Sequence, residues 1–371
     1  MAMSAGSENK RNTDWNPQVV RISKVIPHPS ADALDVVTVL KDYPVVVKKG
    51  DYKVDDLASY LPIDTVVPDI QEFHFLCPAS TLKYEEDGVV KTKPGEPKYP
   101  VGSVPEKHRI IKAKRLRGVY SQGMLVPAPA GAREDDSVVD CLGLKKWEEE
   151  EEENIPGADQ EFEDPPVGWS IPFYDIVGIR RFLECLKDGE EVVLTEKIHG
   201  SNAAFAHDGA RLWVRSRNHY KRRRAQDLWW DVALRYDLER KLAAVPNVVL
   251  FGEIYGLNRG FRYDTEYAGG RLLPRVRFFD AWDAAAGRYL DFDDRVDLLA
   301  RLGLDAVPVL YRGPWRGRDA MYALAEGPTL LGGGQHVREG WVLNTAAERA
   351  EPLLGARMQV KLVGEGYNLR K

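Results

Sequence analysis

Cysteine is scarce in this sequence: Cys77, Cys141 and Cys185 are the three in 371 residues. They are odd in number, scattered and without Cys-x-x-Cys spacing, which argues against a disulfide framework and a cysteine zinc site. All three read as small buried apolar residues. No run approaches the roughly 20 apolar residues of a membrane span. Residues 1–16 are polar and lack the apolar core of a secretory leader. The chain therefore reads as cytoplasmic, with no membrane partner and a loose N-terminal tail. A basic excess is missing as well. Lys and Arg number 52 against 57 Asp and Glu, a formal net charge of −5. Nucleic-acid contacts must then be sought in local clusters. Hydrophobic residues make up 44%, and the length suits two domains with separate cores.

What is present divides at an acidic block. Lys145-Lys146-Trp147 precede six consecutive glutamates, Glu148 to Glu153, and Asp164-Pro165-Pro166 follow. Like charges repel, so residues 146–166 read as an interdomain linker rather than a metal site. Before it, residues 19–26, 34–40, 44–48 and 66–67 read as short strands, broken by Pro27-His28-Pro29 and Lys49-Gly50-Asp51. Short strands with turns between them predict a small β-barrel over residues 17–145, with His28 shaping a turn. Residues 84–107, rich in Lys, Pro, Gly and Glu, read as a long exposed loop inserted in the barrel. In residues 109–117, Lys112, Lys114, Arg115 and Arg117 alternate roughly with apolar neighbours. They suit phosphate contacts, against the plainer alternative of a solvated face.

After the linker, Ile171-Pro172-Phe173-Tyr174-Asp175 reads as an entry turn and residues 179–186 as a short helix. The apolar run Glu191-Val192-Val193-Leu194 is a strand signal. It leads into Thr195-Glu196-Lys197-Ile198-His199-Gly200-Ser201-Asn202. Residues 203–206 and 211–215 form a hairpin around His207-Asp208-Gly209. Residues 228–245 carry helix spacing, with Trp229 and Trp230 expected in the core. Strands at 248–251, 275–279 and 358–363 and helices at 293–302 and 321–325 follow without a βαβ rhythm. The expected class is α+β, with antiparallel sheets and helices around a cleft over residues 167–371.

Lys197 stands at the end of a strand, one residue before a His-Gly turn. An ordinary lysine, with a pKa of about 10.4, attacks nothing until it loses a proton. Burial and neighbouring cations lower that pKa and expose a nucleophile. Gly200 allows the close backbone approach a phosphate needs. By itself the pattern reads equally well as a surface lysine beside a turn.

The longer string Lys197-Ile198-His199-Gly200-Ser201-Asn202 resembles motif I of the covalent nucleotidyltransferases in its RNA ligase form. DNA ligases and mRNA capping enzymes usually carry Asp at the position of His199. Five more strings resemble family motifs in the family's order. They are Ser216-Arg217-Asn218, Phe251-Gly252-Glu253-Ile254-Tyr255-Gly256, Arg277-Phe278-Phe279-Asp280, Arg338-Glu339-Gly340-Trp341-Val342 and Gln359-Val360-Lys361-Leu362. In the first half, His28-Pro29-Ser30-Ala31-Asp32-Ala33-Leu34 and residues 116–124 resemble the oligonucleotide-binding (OB) barrel of tRNA-binding modules. A similar barrel precedes the ligase domain in the RNA ligase 5 family.

The resemblance implies an N-terminal OB-type β-barrel and a nucleotidyltransferase, ATP-grasp-like ligase domain. It implies an ATP-dependent RNA ligase that joins 3′-hydroxyl and 5′-phosphate ends at nicks, in RNA repair, by way of lysyl-AMP on Lys197. ATP and Mg²⁺ or Mn²⁺ are the implied cofactors, nicked RNA duplex or an RNA–DNA hybrid the partner, and a monomer the expected state. Nucleotide contacts fall to Glu196, His199, Gly200, Asn202, Arg217, Glu253, Phe279, Glu339, Val342 and Lys361. Glu253 and Glu339 hold the metal, through water. Lys361 neutralises the α-phosphate and repels the ammonium form of Lys197. Lys112, Lys114, Arg115, Arg117, Lys221, Arg222, Arg223 and Arg224 contact RNA. One departure is Gln359, where the family's last motif often has a lysine; another arginine is expected to supply the missing charge. The rival readings are a capping-type guanylyltransferase, which His199 and the N-terminal barrel oppose, and a non-catalytic RNA-binding protein, which the intact Lys197, Glu253, Glu339 and Lys361 oppose.

Overall fold

The computed structural model describes residues 15–370 apart from 87–88, 148–161, 167–168, 225–226, 258–260, 262, 265 and 269. The six glutamates, most of the expected linker and most of the expected tail lie outside the described residues. The chain divides into two compact units, which among the described residues are 15–147 and 162–370. Both are mostly sheet.

In the first unit the strands are β1 (Gln18–Arg21), β2 (Lys24–Pro27), β3 (Leu34–Val39), β4 (Tyr43–Lys48), β5 (Leu57–Leu61), β6 (Thr65–Val66), β7 (Ala79–Glu86), β8 (Val89–Pro97), β9 (Lys114–Leu116), β10 (Val119–Ser121), β11 (Met124–Pro127) and β12 (Lys145–Lys146). β5 lies between β1 and β11, and β3 between β2 and β4, all antiparallel. The strand expected over 19–26 is split. The Ile22 N–H still donates to Asp56, whereas the Ser23 N–H donates to Thr38 in β3, so the chain changes sheets there. Val20, Ile22, Val37, Val45, Tyr60 and Leu125 close the core between the sheets; β-branched and aromatic side chains suit such a pleated, half-buried surface. His28 does shape a turn. The Ser30 N–H donates to its Nδ1, so Nε2 carries the proton and donates to the Leu116 carbonyl at 3.0 Å.

Residues 84–107 are not one long loop. β7 and β8 form an antiparallel hairpin with Tyr84 opposite Lys91 and Leu82 opposite Lys93. Val89, Val90 and Thr92 favour strand, and Asp87-Gly88 is a hairpin signal in the sequence. β9 and β10 form a second hairpin. Arg117 and Gly118 join them in the left-handed region, at φ 43 and 92, as a two-residue primed turn requires.

The second unit contains β13 (Phe162–Glu163), β14 (Val177–Gly178), β15 (Glu191–Lys197), β16 (Ser201–His207), β17 (Leu212–Arg215), β18 (Tyr220–Lys221), α1 (Leu228–Arg235), α2 (Leu238–Ala243), β19 (Val248–Tyr255), β20 (Glu266–Ala268), β21 (Arg271–Leu273), β22 (Arg275–Asp283), β23 (Arg288–Tyr289), α3 (Phe292–Arg301), β24 (Val309–Pro314), α4 (Arg318–Ala323), β25 (Gly340–Thr345), β26 (Ala350–Glu351), β27 (Ala356–Arg357), β28 (Gln359–Val363) and α5 (Glu365–Asn368). One sheet runs β13-β18-β17-β16-β19-β22-β23 and the other β14-β28-β25-β15-β24. The sheets are antiparallel as expected except at β14, which pairs parallel with β28. Helices α1 to α3 bury Trp230, Leu238 and Leu298 against Phe205, Leu250 and Phe278 of the first sheet. Leu194, Trp341 and Val360 of the second sheet pack with Ile179 and Met321. The helix expected over 228–245 is two helices, broken where Asp237 takes φ 53. The one expected over 179–186 is two short 3₁₀ turns.

Candidate active site

The site forms where the chain crosses from one sheet to the other. β15 is flanked by β24 and β25, and its last residue, Lys197, pairs with Gly340. That register sets Glu339 beside the lysine, with Nζ 2.6 Å from Oε1. Gly340 permits it: at φ 153, a Cβ there would lie 1.9 Å from the Leu362 carbonyl of β28. The chain then passes through His199 and Gly200 into β16, where Asn202 pairs with Glu253 of β19. A Cβ on Gly200 would sit 2.1 Å from the Ile254 carbonyl. A neighbouring strand thus makes a close backbone approach at Gly200.

Lysine and carboxylates set each other's charge. Burial pushes the Lys197 ammonium down, but Glu339 and Glu253 together outweigh it and hold the pKa above the ordinary lysine value. The expectation of a lysine lowered by burial and by Lys361 therefore fails in this state. Arg217 is the cation that opposes the rise. Burial raises Glu253 to about 8, with Glu339 adding to the rise while Lys197 and Arg217 oppose it. Glu339 is buried, and among the described residues its Oε2 has no hydrogen-bond partner. No group of three or more His, Cys, Asp or Glu able to hold a metal occurs among the described residues. Two carboxylates with one uncommitted buried oxygen fit an ion that keeps most of its waters.

The flanking residues arrive on separate elements. Arg217 follows β17 and pairs with Asp175 at 3.1 Å. Phe279 is the extra residue of a β-bulge: Gly252 pairs with Phe278, and Phe251 with Asp280. The bulge turns its ring, partly exposed, against Tyr174 at 5.0 Å. Val342 pairs with both Thr195 and Lys361, which brings the Lys361 strand alongside. Both carboxylate oxygens of Glu196 are taken up by the protein: Oε1 by the Thr329 hydroxyl at 2.5 Å, Oε2 by the Leu330 N–H at 2.8 Å. The His199 N–H donates to Tyr263 Oη at 2.8 Å, and its Nδ1 lies 2.7 Å from Tyr367 Oη.

Gln359 is buried in a polar cluster. Its Nε2 donates to Tyr174 Oη at 2.6 Å and to Asn344 Oδ1 at 2.8 Å. Asp280, fully buried, sits beside it between Arg295 at 3.1 Å and Arg357 at 2.6 Å. Burial pushes the Asp280 carboxyl up, but Arg357 and Arg295 outweigh it and hold the group below its ordinary value. Arginines do stand near Gln359, but they are committed to Asp280.

Among the expected RNA contacts, Lys112, Lys114, Arg115 and Arg117 are exposed on the first unit, and Arg222, Arg223 and Arg224 on the second. Lys221 is not a solvated clamp. It is 2% exposed, with Nζ 4.2 Å from the Trp229 ring centroid and 4.8 Å from that of Phe162. Both residues of β18 are buried, and Lys221 pairs with Phe162 of β13, whose ring helps cover its ammonium. The sequence reading missed Asp175, Tyr174, Tyr263 and Tyr367, which lie outside the motif strings. The only trace was the polar Tyr-Asp pair closing the entry turn.

The site is thus a strand-end lysine in contact with Glu339 and within the fields of Glu253 and Arg217, where the two sheets of the second unit meet. Residues 190–363 match the RNA ligase family model, and residues 17–93 match the model of an OB-fold domain. The chain carries an RNA ligase domain behind an OB-fold domain. Among solved structures it is similar to a mutant Naegleria gruberi RNA ligase without ligand, with TM-score 0.73 and 21% identity over 95% of this chain and 98% of that one. A mutant of the same ligase with ATP and Mn gives TM-score 0.72 and 22% identity over 95% and 98%. The ligase with PPi gives 0.71 and 22% over 94% and 96%. At this identity the likeness is one of fold. No curated protein sequence matches the chain.

Proposed function

We propose that the protein is an ATP-dependent RNA ligase that seals 3′-hydroxyl and 5′-phosphate ends at nicks in RNA repair. The observation that carries this is Lys197 at the end of its strand, 2.6 Å from Glu339 and between the fields of Glu339 and Glu253. The ATP and Mn in similar ligase structures support adenosine triphosphate as the nucleotide. In the first step Lys197 Nζ gives up its proton, for which the Glu339 carboxylate in contact with it is the placed acceptor. The amine then bonds to the α-phosphorus, and the bond to pyrophosphate breaks. In the second step the lysine–phosphorus bond breaks as AMP passes to the 5′-phosphate of the RNA. In the third a 3′-hydroxyl attacks that phosphate and AMP leaves. Such transfers ask the protein chiefly for alignment and charge neutralisation. Lys361 and Arg217 offer cations to phosphate oxygens, and Phe279 offers a face to the base. A divalent ion held through water by Glu253 and Glu339 would add charge neutralisation at the phosphates.

The test is retention of label on denatured protein after incubation with α-labelled ATP or GTP and Mg²⁺ or Mn²⁺, with Lys197→Ala alongside. Label from ATP that is absent in the variant is the expected result. Label from GTP alone would make the protein a capping-type guanylyltransferase. No label from either would leave a non-catalytic RNA-binding protein.

A further inference from the structure

His199 lies in the turn that carries the chain away from Lys197, and it is held at both ends by tyrosines from distant parts of the sequence. Tyr263 accepts its backbone N–H at 2.8 Å. Tyr367 Oη lies 2.7 Å from its Nδ1, and the Phe261 ring covers the imidazole at 4.2 Å between centroids. Tyr367 is itself well fixed. It is 5% exposed and sits on α5, whose first turn is anchored by Glu326: Oε1 accepts the Glu365 N–H at 2.6 Å and Oε2 the Gly366 N–H at 3.2 Å. Just before α5, the Gly364 N–H donates to the Glu339 carbonyl at 2.8 Å. The same short segment thus touches the backbone of Glu339 and the ring of His199.

The hydrogen bond has a chemical direction. Phenol and neutral imidazole differ such that the phenolic O–H is the natural donor and Nδ1 the acceptor. The imidazole proton is then kept on Nε2, and a hydrogen bond at one ring nitrogen decides what the other presents. An N–H at Nε2 suits an oxygen of the nucleotide or of its phosphates. We infer that Tyr367 is a positioning residue of the ligase site, acting through His199 by fixing its ring and keeping its proton on Nε2. This rests on the ligase reading proposed above.

Single-turnover labelling from α-labelled ATP, on the full chain, separates the possibilities. Tyr367→Phe removes the hydroxyl and keeps the ring. It is expected to slow adenylylation on the order of tenfold, with the apparent KM for ATP and the thermal midpoint little changed. In a His199→Ala background the same change should add nothing further, because residues acting through one partner are not additive. Glu326→Gln, which loosens α5 without touching the tyrosine, should give a smaller slowing that also vanishes in that background. Tyr367→Phe at the wild-type rate would overturn the inference. So would losses that multiply fully in the double variant, since a merely structural tyrosine behaves that way. A wild-type protein that takes no label would instead overturn the ligase reading, and this one with it.

Discussion

At Lys197 burial and two carboxylates pull against each other, and the carboxylates win. The resting lysine is therefore an ammonium, and the nucleotide must meet it paired with Glu339. Glu253 carries the other side of this arrangement, with its pKa raised from 4.5 to about 8. Between those values the folded protein holds a proton that the unfolded chain has released, so stability present at low pH is lost as pH rises through that window. Glu253→Gln should remove its share of the loss, on the order of 2 kcal/mol near pH 8 once partial exposure is allowed for. Thermal midpoints taken from pH 5 to pH 8 would show it as a flatter profile in the variant. A residual fall should remain in both proteins, because burial also raises Glu348 to about 7. An equal slope in both would refute the assignment to Glu253. At this scale the sequence was informative where chemistry limits the choice of residue: Lys197, Glu253 and Glu339 lie in motif strings, and the fold gathers them. Tyr263 and Tyr367 were invisible because a tyrosine that holds a histidine needs no fixed spacing from it.

Among elements, glycines decide how closely strands meet. Gly200 and Gly340 stand where a Cβ would strike the backbone carbonyls of Ile254 and Leu362. Gly252 is similarly tight: its Cβ would be 2.9 Å from Val276 and 3.0 Å from the Arg277 carbonyl, beside the bulge that presents Phe279. Backbone cannot step aside as a side-chain tip can, so Gly200→Ala should cost about 3 kcal/mol. Chemical denaturation should show a lower midpoint, and an unchanged midpoint would mean the two strands can part freely. The periodicities announced most of the strands, but not their partners. Nothing in residues 228–245 foretold the break at Asp237, whose left-handed backbone overrides helix-former spacing. Lys221 shows the converse error: a run of four cations reads as surface until one of them pairs with a neighbouring strand and is buried.

For the molecule as a whole, the overall charge says little about RNA, and the clusters say more. Lys112, Lys114, Arg115 and Arg117 are all exposed on the OB-fold unit. If each neutralises a phosphate, replacing the four by alanine should weaken binding of nicked duplex. It should also flatten the plot of log affinity against log salt by about 3.6 units of slope. Labelling from ATP, which needs no RNA, should stay at the wild-type rate. Titrations at several salt concentrations would test this, and an unchanged slope would assign RNA contact elsewhere. The order of strands has a further consequence, for how the protein is made. The seven-stranded sheet draws only on residues 162–289, whereas β15 is flanked by β24 and β25 and β14 waits for β28. A chain emerging from the ribosome can therefore complete one half of the ligase domain while the strand bearing Lys197 still has no neighbours on either side. Until residues 309–363 emerge, β15 is an apolar strand with two open edges, the kind of segment that chaperones shield.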